Sequence, residues 1–179
     1  SRGIVVATMS TSGGSSGSSA KEDAGAVKFR AYGDDVIRQK IIRMLSYTRA
    51  VRRGNDPDAL HDMRVASRRL RAALSVFADA YDTPEYARLQ KAIRKVTATL
   101  SRARDLDVMI GGLQRDADKL PASQRSIISD VIRQWTAERG SVQGEVVEVL
   151  DRLTALDPLS VFDAIVRSAT SETEEGAAG

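Results

Sequence analysis

The sequence predicts an all-α protein: an antiparallel four-helix bundle with a short extra helix and a basic groove beside its core. Three observations carry that reading. Apolar residues recur at three- and four-residue steps through most of the chain, with no alternating β-branched run that would argue for strands. Caps and breakers at Gly54, Asp56-Pro57, Thr83-Pro84, Pro121 and Asp157-Pro158 divide that pattern into helix-length segments joined by short turns. Long amphipathic helices cannot bury their stripes alone, so neighbours must pack together.

The first helix is expected over 35–53, with Ile37, Ile41, Met44, Leu45, Thr48 and Val51 as its stripe and Gly54 as its stop. The second spans 58–81. Asn55 or Asp56 caps it, Pro57 suits its first turn, and Leu60, Met63, Leu70, Ala73, Leu74, Phe77 and Tyr81 face the core. The third starts near Thr83-Pro84 and runs to 101 or 104 through Tyr86, Leu89, Ile93, Val96, Leu100 and Ala103. A shorter piece follows, capped by Asp105, with Leu106, Met109, Ile110 and Leu113 inward and Gly111-Gly112 weakening it. The last long helix covers 123–153 and buries Ile128, Val131, Ile132, Trp135, Val142, Val149 and Leu150; LSVFDAIV, 159–166, makes one more short helix. Residues 34–168 thus form the bundle. Residues 1–33 read as a flexible Ser/Gly-rich segment, with STSGGSSGSS at 10–19 as a linker, and 169–179 as a disordered acidic tail. Met9 fits a native start, and an internal fragment fits equally.

Composition narrows the function classes. A chain of 179 residues fits one domain. It has no cysteine, which excludes a disulfide framework or thiolate metal site and fits a reducing, cytoplasmic setting. No apolar run approaches the roughly 20 residues of a membrane span. The net charge of +3 hides an asymmetry: 34–104 carry 16 Lys and Arg against 8 Asp and Glu, whereas 105–179 carry 7 against 14. A basic block is a footprint for polyanions, and equally a solvated face balanced by the acidic half.

LHDMRVASRRLRAAL, 60–74, concentrates that charge. At about 100° per residue, His61, Arg64, Arg68 and Arg71 fall within roughly 80° of one another, beside the apolar stripe, over roughly 15 Å of helix. Arg69 points elsewhere and reads as ordinary surface. No acid lies three or four residues from Arg64, Arg68 or Arg71. Arginine's planar fork of donors matches phosphate oxygens. Lys40 and Arg43 on the first helix, and Lys91, Lys95 and Arg102 with Arg94 nearby on the third, would widen the stripe into a cationic wall.

These residues carry a family resemblance. DALHDMRVASRRLRAALSVF, 58–77, strongly resembles the signature of the CHAD domain, the conserved-histidine α-helical domain. LSRARDLDV, 100–108, is similar to that family's second marker, a Leu-Gly-x-x-Arg-Asp-x-Asp-Val-type turn, with Ser101 where glycine is usual. The resemblance implies an all-helical module that binds inorganic polyphosphate without chemistry upon it, recruited to polyphosphate granules. It nominates His61, Arg64, Arg68, Arg71 and Arg104, and more loosely Lys40, Arg43, Lys91 and Arg94. The family usually has two similar halves about a pseudo-twofold axis, each with its own His/Arg helix. This chain holds one such helix and one histidine, so it looks like the first half: a shortened piece, a naturally short form, or a subunit whose homodimer restores the second half by symmetry.

Rival readings are weaker. A metal site lacks company for His61, and no cofactor motif is evident. A histidine phosphotransfer bundle would want a small residue where Val65 stands. Nucleic-acid binding usually adds stacking aromatics, and Phe77 and Tyr86 belong to the core pattern. No nucleophile–base pair or phosphate-cradling glycine loop points to an enzyme.

Overall fold

The computed structural model describes residues 16–177, with side chains over 24–171. Its helices are α1 Ser16–Leu45, α2 Thr48–Arg53, α3 Pro57–Val76, α4 Pro84–Ala117, α5 Ala122–Leu156 and α6 Pro158–Ala177, with one 3-10 turn at Ala78–Ala80 and no strand among the described residues. The all-α bundle expected from the periodicity is the fold observed.

Local chemistry sets the joints. The Asp56 carboxylate accepts the Ala59 N–H at 2.8 Å, and the Thr83 hydroxyl accepts that of Tyr86 at 3.2 Å, each just before a proline in the first turn. Gly54 closes α2 at φ +72°, where a side chain would strain the backbone and meet Gln143. Asp157 alone turns α5 into α6, at φ 50°.

The core lies between α1, α3, α4, the C-terminal half of α5, and α6. Ile37, Ile41 and Met44 meet Met63, Leu70 and Leu74, then Leu89, Ile93 and Leu100, then Val142, Val146, Leu150 and Phe162. One end is closed by aromatics. Phe29 and Tyr32 pack on Phe77, whose ring lies so close to Gly33 that a Cβ there would come within 2.7 Å of it. Tyr81 stacks on Tyr86 and donates to Asp34; burial pushes both phenol pKa values up.

Several boundaries differ from expectation. The backbone of the supposedly flexible 1–33 is helical from Ser16 on: AKEDAGAVKFRAY, 20–32, is rich in helix formers and ends on the aromatic cap. Residues 1–15, with Met9 and most of the linker, lie outside the described residues. The first helix breaks at Ser46-Tyr47, where Ser46 Oγ donates to the Arg43 carbonyl. The second ends at Val76. The third does not stop near 104: α4 continues through Asp105 and Gly111-Gly112, with α5 packed against it, so Asp105 is no cap. The short helix and the tail as far as Ala177 are one element, α6, whose Phe162 and Ile165 are buried in the core, and 178–179 lie outside the described residues.

Candidate functional site

α3 runs between α1 and α4 and presents its remaining side outward. Both Tyr86 Oη and Gln90 Nε2 donate to the Leu74 carbonyl at 2.9 Å, which fixes the register of the antiparallel α3–α4 pair. Carried along the pair, that register sets Arg71 level with Lys91 and Arg68 level with Arg94.

Two grooves flank α3. The larger, about 400 Å³, lies on the α1 side and is lined by Lys40, Arg43, Tyr47, His61 and Arg69, with Asp62 as its acid. The Arg43 guanidinium sits 5.0 Å from the Tyr47 ring centroid, held by cation–π attraction. The smaller, about 190 Å³, lies on the α4 side between Arg71 and Arg94, with Ser75 and Gln90 beside them. Arg68 lines neither groove and stands exposed on the helix between them. Arg64 is half-buried, and its Nε has no hydrogen-bond partner, an unmet donor that costs roughly 1–3 kcal/mol. Arg104 is half-buried on the side of α4 that carries Tyr86 and Thr97, the side turned to α3. Lys91 is exposed one turn before Arg94, outside both grooves.

Among the described residues, none of His61, Arg64, Arg68, Arg69, Arg71, Arg104, Lys40, Arg43, Lys91 or Arg94 comes within ion-pair distance of a carboxylate. Like charges one turn apart on a helix repel by about 0.2–0.5 kcal/mol per pair, so this face stores unfavourable charge that an anion would relieve. The arginine forks can bridge successive oxygens of a phosphate chain, and the lysines can add point charge.

The structure brings Lys40 and Arg43 to His61, and Arg94 to Arg71, while Lys91 and Lys95 line neither groove. It takes Arg102 away. Its Nη1 donates to Glu145 at 2.9 Å and its Nη2 to Glu138 at 3.3 Å, both on α5, and the Glu138 hydrogen bond leads in raising its pKa. Asp107, three residues beyond Arg104 on α4, accepts from Arg139 Nε at 2.8 Å. Arg139 in turn donates to Gln143 at 3.0 Å, and Gln143 to the Val51 carbonyl at 3.0 Å, so the relay ties α4 and α5 to α2. Arg69, set aside as ordinary surface, lines the larger groove with His61. Angular position along α3 spaces these residues but does not decide which flank of the helix faces α1. The neighbouring cations Lys40 and Arg43 were the available signal.

Among the described residues no group of His, Asp and Glu could hold a metal ion, and no helix is long and apolar enough to cross a membrane. A model of the CHAD domain matches residues 35–178. No curated protein and no solved structure matches the chain.

Proposed function

The chain belongs to the CHAD-domain family, and on that footing we propose that it is a non-catalytic module that binds inorganic polyphosphate across α3. The family is associated with polyphosphate-related proteins. The observation that carries the reading is the row of cations, on α3 and on both its neighbours, none of which is in ion-pair contact with a carboxylate among the described residues. Arg64, Arg68 and Arg71 donate forked hydrogen bonds to successive phosphates, with Arg94 and Arg104 beside them. His61, Arg69, Lys40 and Arg43 receive the chain on the other flank. Binding without turnover would suit targeting of a cytoplasmic protein to polyphosphate granules.

Titration with polyphosphate of defined lengths, pyrophosphate and an oligonucleotide at matched phosphate concentration tests this. Long polyphosphate is expected to bind most tightly and to displace the oligonucleotide. Polyphosphate that fails to displace it would identify a nucleic-acid backbone reader, and an acid-labile phosphate on His61 after exposure to a phosphorylated response regulator would identify a phosphotransfer module.

A further inference from the structure

The two grooves beside α3 differ in more than size. The smaller, about 190 Å³, has less than half the volume of the larger, about 400 Å³. Its walls are matched. α3 supplies Arg71 and, one turn on, the exposed Ser75; α4 supplies Arg94 and, one turn back, Gln90. No acid lines it, whereas Asp62 lines the larger. The Leu74 carbonyl, an acceptor that would repel an anion here, is already covered by hydrogen bonds from Tyr86 Oη and Gln90 Nε2.

The row of cations stops at this groove. Residues 72–87, which close α3, make the turn and open α4, hold no Lys or Arg and three acids, Asp79, Asp82 and Glu85, a net charge of −3. All three are exposed, and none forms an ion pair among the described residues. Arg88, the next cation on α4, lies about 160° from Gln90 on the helical wheel. Arg30, from α1, is held over the Tyr81 ring, 5.2 Å from its centroid. A polyanion lying along α3 therefore meets open negative charge beyond Ser75 and finds no cation to carry it on. The opposite end is not closed in this way. Past Tyr47, residues 48–60 hold three Arg against two Asp, and Arg49 and Arg53 are exposed.

An internal phosphate of a polyphosphate has two non-bridging oxygens and must continue on both sides. A terminal phosphate has three, carries close to two charges near neutral pH as a phosphomonoester does, and continues on one side only. The smaller groove suits the terminal one: arginine forks from opposite walls, a hydroxyl as a further donor, and cations leading away in one direction. Resting on the polyphosphate reading above, we infer that this groove seats the end of the polyphosphate. Arg71 and Arg94 grip the oxygens of the terminal phosphate, Ser75 donates to one of them, and the remainder runs back over Arg68 to the larger groove. The protein thus selects polyphosphate ends over internal stretches.

The test compares long polyphosphate with the same material capped at both ends as alkyl phosphoramidates, which replace one anionic oxygen of each terminal phosphate and leave the internal units untouched. The unmodified protein is expected to bind the free-ended form about tenfold more tightly, the worth of one charge-assisted hydrogen bond. R94A is expected to weaken binding of the free-ended form and to erase that difference. Arg94 is exposed, so helical circular dichroism should not change. S75A, which leaves every charge in place, is expected to narrow the difference, and K40A, in the larger groove, to weaken both forms alike. Equal affinity of the unmodified protein for the two forms, or a ratio unchanged in R94A and S75A, overturns the end seat and leaves polyphosphate binding standing. Failure to bind either form overturns both.

Discussion

Arginine plays opposite parts on the two sides of this bundle. On the side formed by α5 and α6, arginines are tied to acids from distant helices: Arg139 to Asp107, Arg102 to Glu138 and Glu145, Arg38 to Asp163, Arg52 to Asp151. On the α3 face they stand together, and none has a carboxylate partner among the described residues. The number of arginines does not separate the two sides; the pairing does. A paired guanidinium is part of the scaffold, and a cluster of unpaired ones is charge held ready for something outside it.

The sharpest way to break this comparison is the double variant R64E/R68E. Loss of polyphosphate binding by more than about a hundredfold is expected, since two phosphate contacts vanish and two repulsions replace them. Neither residue is in the core, so circular dichroism should keep its helical signal; loss of fold would mean that these arginines are scaffold too. Salt offers a second probe. By analogy with counterion release from DNA, roughly four phosphate contacts should cost about a hundredfold in affinity between about 50 and 200 mM salt.

On the paired side, R139A should leave binding in place and lower stability. Arg139 and Asp107 are only 15% and 20% exposed, and Asp107 Oδ2 already lacks a partner. Stranding that carboxylate should cost about 2–3 kcal/mol in chemical denaturation, less than the roughly 3–5 kcal/mol of a wholly buried pair. A smaller effect is expected from H61A. Removing one donor from the larger groove should weaken polyphosphate binding several-fold; unchanged affinity would take His61 out of the contact. The smallest change is expected from R102A. Arg102 is paired but at the surface, so neither melting temperature nor affinity should move measurably.

The interior of α1, α3 and the first part of α4 was legible in the sequence, because a stripe buried on one side leaves its period in the residues. Every apolar position expected to face the core between Leu60 and Ala103 is buried. Farther along, periodicity gave the face but not the depth. Trp135 and Val142 belong to one stripe, yet only Val142 is sealed, since how far the neighbouring helices reach leaves no trace in the stripe itself. α6 was under-read because its polar C-terminal end dilutes the pattern that Phe162 and Ile165 begin. At the site, testing for acids one turn away held for Arg64, Arg68 and Arg71. It could not have found the partners of Arg102, which come from another helix, 36 and 43 positions along the chain.

The two grooves lie on opposite flanks of one helix, with Arg68 between them. A short anion can occupy one flank and bridges two helices at most. On the proposed binding, a chain long enough to cross over at Arg68 would strap α1, α3 and α4 together. Its length is thereby converted into mechanical coupling, and the melting temperature of the complex should climb with chain length, then level off once the strap is complete.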